Sequence, residues 1–187
     1  MQRKAESELG DPEEQKDAET EPDVVLHTEP FTIGHYVRDE KERKWVSKLG
    51  DKDVITEVIP ENDNWKSDGT CRLLFAGMSH IEFKYNIPLH KIQKRYPGCK
   101  FMLETQYNMP YAANDGLVSI NNDGISLLRK AKVTSRGQTN HKNEIKSENP
   151  EASFKITYDK GDEPLYIDFV RIYVVPEKKP EVAQPKV

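Results

Sequence analysis

The sequence predicts an all-β protein, an antiparallel sandwich of two sheets. Three observations predict it. Apolar side chains recur at every second position in several segments, turn signals separate these segments, and helical periodicity is hard to find. A period of two places one face of a strand in a core and the other in water. Short strands of this kind joined by turns are typical of sandwiches, and we count about eight of them.

The clearest strand signals lie in four segments. Residues 81–87 alternate apolar and polar side chains and are followed by Pro88, which ends a strand because it lacks a backbone donor. Residues 101–107 and 154–158 alternate in the same way. Residues 165–175 are apolar at nearly every position, which indicates a strand covered on both faces near the centre of a sheet.

Weaker signals extend this pattern. Two short apolar runs, 54–59 and 73–75, predict further strands. The dipeptide Asp123-Gly124 lies between two apolar runs and predicts a hairpin, because glycine tolerates a positive φ. The number of strands and their antiparallel connections fit a two-sheet sandwich or jelly roll.

Two polar segments are less regular. Residues 39–48 are compatible with one or two helical turns, with a charged strand or with a loop. Residues 134–150 are polar throughout, and we expect a long loop there.

Composition divides the chain into three parts. Residues 1–23 contain nine acidic and three basic side chains and no aromatic residue, so this segment cannot bury enough apolar surface to offset its ordering entropy. We expect a disordered acidic leader at 1–23 and a β-sandwich domain at 24–175. Residues 176–187 contain three prolines among alternating charges, which favours an extended segment. That segment is either a linker to further domains of a larger protein or a solvated tail.

Charge and hydropathy restrict the partners and the compartment. Without the leader the chain has 25 basic and 23 acidic side chains, so we expect no basic face and no nucleic-acid partner. No apolar run approaches the roughly 20 residues of a membrane span, and the N-terminus does not resemble a secretory signal. We expect an extracellular location if the domain binds glycans and a cytoplasmic one otherwise. Cys71 and Cys99 are compatible with one disulfide or with two free thiols.

Motifs for catalysis are missing from the sequence. It contains no glycine-rich phosphate loop, no His-Glu-x-x-His, no Cys-x-x-Cys and no Gly-x-Ser-x-Gly. The five histidines are scattered without a pair at metal-ligand spacing. We therefore expect a protein that is not an enzyme.

Two carboxylates are candidate metal ligands. Alternation places Asp168 on the apolar face of its strand with Val170, and Glu57 on the face of Ile55 and Ile59. A buried carboxylate needs a cation or hydrogen-bond donors, so Asp168 and Glu57 are candidate ligands of a structural Ca²⁺. The alternative is that Asp168 lies at the rim of a sheet and accepts hydrogen bonds there.

Aromatic residues next to amides are candidate ligand contacts. Trp65 lies in a polar loop, and Tyr107 and Tyr111 surround Met109-Pro110. An aromatic ring in a polar loop offers a flat apolar face to a sugar, while nearby amides bond its hydroxyls. The alternative is that these rings cap the open ends of the core. The amides expected to orient the ligand are Asn108, Asn114 and Asn121.

Three segments together resemble a known family. Residues 81–88, a strand followed by proline, the hairpin 118–124 and the closing strand 166–172 are similar, in that order, to elements of jelly-roll, galactose-binding-like carbohydrate-binding modules. The resemblance implies a sandwich that binds glycans through its end loops or a sheet face, often with a structural Ca²⁺. It would place Asp168 at the metal-linked acidic position of that family.

The function expected from these features is non-catalytic binding of an oligosaccharide or polysaccharide. An alternative of another class is a structural or protein-interaction jelly roll, such as an assembly or scaffold module. A glycan-processing enzyme of the same fold would require a deep cleft with convergent carboxylates.

Overall fold

The computed structural model describes residues 24–27, 36–61, 71–77 and 79–177. In this part of the chain we number twelve strands and one α-helix in chain order. They are β1 (Val24–His27), β2 (Tyr36–Asp39), β3 (Lys44–Ser47), β4 (Ile55–Pro60), β5 (Cys71–Leu73), β6 (Ser79–Asn86), α1 (Leu89–Arg95), β7 (Lys100–Asn108), β8 (Gly116–Asn122), β9 (Ile125–Val133), β10 (Gln138–Glu144), β11 (Glu151–Lys160) and β12 (Leu165–Val175). A single 3-10 turn spans Gly50–Lys52.

The strands form two sheets. One has seven strands in the order β9-β8-β11-β6-β4-β3-β2, and the other has the order β10-β7-β12-β1 with β5 also paired to β12. Within each sheet, every pair of neighbouring strands is antiparallel. The predicted all-β, two-sheet sandwich is therefore confirmed.

The core follows the alternation that the sequence shows. In β6 the side chains of Ile81, Phe83 and Tyr85 are buried, whereas Lys84 between them is exposed. Phe83 stacks on Phe154 of β11 with ring centroids 4.9 Å apart. Burial of such rings is the main stabilising contribution of this layer, because apolar area removed from water dominates folding.

Two bulges change the phase of the alternation. In β4, Ile55 lies opposite Tyr85 and Glu57 opposite Lys84, so one extra residue separates them. Glu57 therefore lies on the outer face of the sheet, away from the buried Ile55, and the predicted shared face is wrong for these two residues.

The second bulge is at Asp168 in β12. Ile167 lies opposite Tyr107 and Phe169 opposite Gln106, so Asp168 is the extra residue. Because of this extra residue, Asp168 does not share the inner face with the buried Val170, although it lies two positions before it. Asp168 is only half-buried. The prediction that Asp168 shares the apolar face of Val170 assumed an unbroken strand and does not hold.

Both polar segments contain strands. Residues 39–48 belong to the β2–β3 hairpin, whose turn is capped where the Asp39 carboxylate accepts hydrogen bonds from the amides of Lys41 and Glu42 (3.1 and 3.0 Å). The expected long loop at 134–150 is wrong, because β10 lies within it. β10 has no apolar alternation since it is an edge strand: the inward side chain of Asn143 bonds to the Leu127 carbonyl (3.2 Å).

Other predictions fall partly outside the described residues. The leader at 1–23 and residues 178–187 of the tail lie outside them, as does Trp65. Cys99 is a free thiol. No helix in the described part of the chain is long and apolar enough to cross a membrane.

His141 of β10 makes the stability of the sandwich depend on pH. Its Nε2 lies 3.1 Å from the Lys132 carbonyl, its ring packs 5.2 Å from that of Tyr107, and its enclosed Nδ1 has no hydrogen-bond partner among the described residues. Burial lowers the pKa of His141. The folded protein therefore binds this proton less readily than the unfolded chain, whose histidine pKa is about 6.5.

We expect neutral His141 to make its full contribution to the free energy of unfolding at pH values above the histidine pKa of the unfolded chain. This contribution is lost as the pH falls below about 6.5. Urea unfolding at pH values from about 8 to 5 measures this loss. In His141→Gln the fall in stability should be shallower, whereas His90→Gln, an exposed control on α1, should behave like the parent. Equal slopes for all three proteins would contradict the assignment.

Candidate ligand-binding site

Four connections meet at one end of the sandwich. They are the loops 74–77, 109–115, 134–137 and 161–164, which join strands whose ends lie side by side: Leu165 pairs with Leu73, and Asn108 pairs with both Tyr166 and Gln138. We call these four loops the aromatic end. Loops at the end of a rigid sandwich commonly carry binding residues.

Hydrogen bonds hold the loops of the aromatic end together. The Arg136 amide donates to the Met109 carbonyl (3.0 Å). The Asn114 side-chain amide donates to the Asp162 carboxylate (3.0 Å), which joins loop 109–115 to loop 161–164. Three of the four loops, 109–115, 134–137 and 161–164, are therefore joined to one another by hydrogen bonds.

Tyr158 of β11 contacts two of the loops of the aromatic end. Its side chain is fully buried, and its hydroxyl donates to the Glu163 carbonyl and lies 3.7 Å from the Met109 sulfur. A Cβ at Gly161 would collide with this hydroxyl, so only glycine fits at that position. Burial raises the pKa of Tyr158, which keeps the phenol neutral and able to donate.

Two large aromatic side chains are exposed at this end. Tyr111 is 71% exposed and Phe75 is 60% exposed. The other exposed large hydrophobic side chains of the described chain are aliphatic: Val37, Leu49 and Ile125. Rings left in water at a loop end contribute little to the core, so their exposure favours a role in contact with a ligand.

A cavity of about 520 Å³ adjoins Phe75. It is lined by residues 74–76 and 161–164, which include the carboxylates of Asp162 and Glu163. An apolar ring beside oxygen acceptors is the combination that a sugar ring with its hydroxyls requires.

The structure places the predicted ligand contacts unevenly. Tyr111 and Asn114 lie at the aromatic end, and Asn108 ends β7 next to it. Tyr107 is fully buried within β7, where its hydroxyl bonds to Thr105 (2.8 Å), so it offers no face to a ligand and the prediction for it is wrong.

Asn121 does not belong to this group. It lies near the other end of β8, where its side-chain oxygen accepts a hydrogen bond from the Gly124 amide (2.8 Å) and closes the predicted hairpin turn. Phe75 was not predicted as a contact. It is the last residue of the short apolar run 73–75, and the sequence has no signal that separates a ring at the end of a strand from a core residue.

Glu57 and Asp168 do not form a metal site together, because they lie in different sheets. The Glu57 carboxylate is already paired with Lys44 (3.2 Å) and Lys84 (3.7 Å). Burial raises the pKa of Asp168, and its enclosed Oδ2 has no hydrogen-bond partner among the described residues. No cluster of three candidate ligands occurs in that part of the chain, so Glu57 and Asp168 do not form the predicted site together there, and a structural Ca²⁺ stays a prediction.

A second cavity, of about 560 Å³, is lined by residues of β4, β6 and β11. Its lining includes Glu57, Lys84, Asp123 and Glu151 but no exposed ring. Because it lacks a stacking surface, it is a weaker candidate than the aromatic end.

No known protein family's sequence profile and no curated protein matches the chain. Among solved structures it is similar to the CBM22-1 xylan-binding domain of Paenibacillus barcinonensis Xyn10C, with a TM-score of 0.46, 8% identity, and coverage of 82% of this chain and 96% of that domain. It is also similar to the carbohydrate-binding module CBM36 in complex with calcium and xylotriose, with a TM-score of 0.38, 13% identity, and coverage of 54% and 77%.

A further similar structure is the cycloalternan-forming enzyme of Listeria monocytogenes in complex with a pentasaccharide substrate. Here the TM-score is 0.41 and the identity 11%, and the match covers 62% of this chain but only 10% of the enzyme. Two of these three structures are carbohydrate-binding modules. Identities this low assign no ligand to this chain.

Proposed function

We propose that the chain is a non-catalytic carbohydrate-binding domain whose ligand stacks on Tyr111 and Phe75 at the aromatic end. The observation that carries the proposal is the exposure of both rings, 71% and 60%, at one end of the sandwich. A sugar ring has apolar C–H faces and polar edges, so an exposed ring beside oxygen acceptors is complementary to it.

The polar groups next to the rings form hydrogen bonds with the hydroxyl groups of the sugar. Asp162 and Glu163 line the cavity beside Phe75, and Asn114 is fixed against Asp162. Carboxylate oxygens accept hydrogen bonds from sugar hydroxyls, and side-chain amides both donate to these hydroxyls and accept from them. Because the hydrogen bond between Asn114 and Asp162 already orients these two groups, binding does not have to order them.

Titration calorimetry with a panel of neutral and acidic oligosaccharides tests the proposal. We expect millimolar to micromolar affinity for at least one of them. Phe75→Ala and Tyr111→Ala should each weaken binding about tenfold, because a stacked ring contributes about 1–1.5 kcal/mol. The titrations are run with and without Ca²⁺, since the sequence resemblance implies a structural Ca²⁺.

Leu49→Ala is the matched control. Leu49 is 55% exposed but precedes the 3-10 turn, in the connection that leads into the start of β4 at the other end of the sandwich. Its loss should leave glycan affinity unchanged. Failure of every oligosaccharide to bind would contradict the proposal and favour the protein-interaction role.

A further inference from the structure

One side wall of the sandwich carries a concentration of positive charge. It is formed by β9, at the edge of the seven-stranded sheet, and β10, at the edge of the other sheet. Residues 125–143 contain five lysine or arginine side chains and no acidic residue, and all five are exposed. We call this set the basic edge: Arg129, Lys130, Lys132, Arg136 and Lys142.

The two strands form one continuous wall. His141 of β10 contacts the Lys132 carbonyl of β9 (3.1 Å), and Asn143 donates to the Leu127 carbonyl (3.2 Å). These inward side chains join the edges of the two sheets, while Lys142 between them is exposed. The cations of β9 therefore lie on a strand that is joined directly to β10.

The basic edge begins at the aromatic end. The Arg136 amide bonds to the Met109 carbonyl in the loop that carries Tyr111 (3.0 Å), and Lys132 lies 3.8 Å from Asp115 of the same loop. From there the cations continue along β9 to Arg129, toward the other end of the sandwich.

Most of these cations have no ion-pair partner among the residues that the structure describes. Apart from the contact of Lys132 with Asp115, none of the five takes part in an ion pair among the described residues. Glu104, which lies opposite Lys142 in the register, is paired instead with Arg171 (3.4 Å) and bonded to Asn140 (2.7 Å). A row of unpaired cations attracts an anionic ligand.

We infer that the glycan recognised at the aromatic end is acidic, a polysaccharide with carboxylate or sulfate groups that lie along the basic edge. This inference rests on the proposed function and names its ligand class. The near-neutral charge of the chain predicts no basic face, but that sum conceals the segment 125–143, whose charged side chains are all basic.

An acidic glycan fits these observations better than a nucleic acid. Asp162 and Glu163 line the cavity beside Phe75, and they would repel a phosphate backbone that has a charge at every unit. A polysaccharide can place an uncharged sugar ring at this cavity and its acidic groups against the basic edge.

The test compares xylo-oligosaccharides that carry glucuronate branches with unbranched, neutral xylo-oligosaccharides of equal backbone length. At low salt we expect the acidic oligosaccharides to bind at least about tenfold more tightly, and added salt to reduce the difference because it screens exposed charges. Arg129→Gln/Lys130→Gln/Lys132→Gln should abolish the preference. The matched control Lys91→Gln/Lys94→Gln/Lys100→Gln removes three exposed cations outside the basic edge and should retain it.

The outcomes separate the two proposals. Equal affinity for both oligosaccharides, with binding that still depends on Phe75 and Tyr111, overturns the acidic ligand and leaves the proposed function standing. Binding that is unaffected by Phe75→Ala and Tyr111→Ala contradicts the proposed function instead. Single-stranded DNA that binds as tightly as the glucuronate-branched xylo-oligosaccharide would show a general polyanion surface and would also overturn the inference.

Discussion

Asn122→Ala is expected to lower the free energy of unfolding by about 3–4 kcal/mol. The Asn122 side chain is fully buried and uses all of its hydrogen-bonding capacity. Its oxygen accepts from the amides of Lys146 and Ser147 (both 2.8 Å), and its amide donates to the Tyr85 hydroxyl and the Ser153 carbonyl (both 3.0 Å). Alanine would leave several of these buried groups unpaired, and each such group costs about 1–3 kcal/mol.

Asn121→Ala is the matched control for this prediction. Asn121 is the preceding residue of the same strand, but its side chain is exposed and accepts only from the Gly124 amide. Its loss should cost about 1 kcal/mol or less. Urea unfolding of both variants measures the difference, and equal losses would mean that the buried network does not stabilise the fold.

Phe154→Ala is expected to cost about 3–5 kcal/mol, the usual range for removing a buried ring. Phe154 is 1% exposed in β11 and lies opposite Phe83 on one neighbouring strand and Asn122 on the other. It also stacks against Tyr85 with ring centroids 6.4 Å apart. Its loss would open a cavity in the middle of the seven-stranded sheet.

Two further variants make this result interpretable. Lys155→Ala, an exposed neighbour in β11, should change stability by about 0.5 kcal/mol or less. Phe154→Leu refills most of the volume and should cost no more than about 1.5 kcal/mol. This variant supplies the measurement if Phe154→Ala does not fold. A loss for Phe154→Ala no larger than that for Lys155→Ala, measured by urea unfolding, would contradict the assigned core.

The sequence predicts the sandwich because its alternation is local. Residues 81–87 and 154–158 bury the side chains that a period of two selects, since both lie in strands without a bulge in that range. The same rule fails at Glu57 and Asp168. Each lies at a bulge, and the extra residue depends on the partner strand and not on the local pattern.

The candidate site is less predictable for a similar reason. Tyr107 and Tyr111 are close in sequence, yet one ends in the core and the other in water, because β7 extends to Asn108 and places Tyr107 on its inner face. Asn114 and Asn121 have similar settings in the sequence but lie near opposite ends of β8. The basic edge arises only when β9 and β10 are brought together by the topology.

Chemical-shift mapping tests the central claim, that the aromatic end binds a glycan, most directly. Isotope-labelled protein is titrated with the tightest oligosaccharide of the calorimetric panel, and backbone amide resonances are followed. The account predicts that resonances of 74–77, 109–115 and 161–164 shift, while those of 145–149 beyond β10 do not. Shifts confined to 145–149, or to the cavity around Glu57 and Lys84, would contradict it.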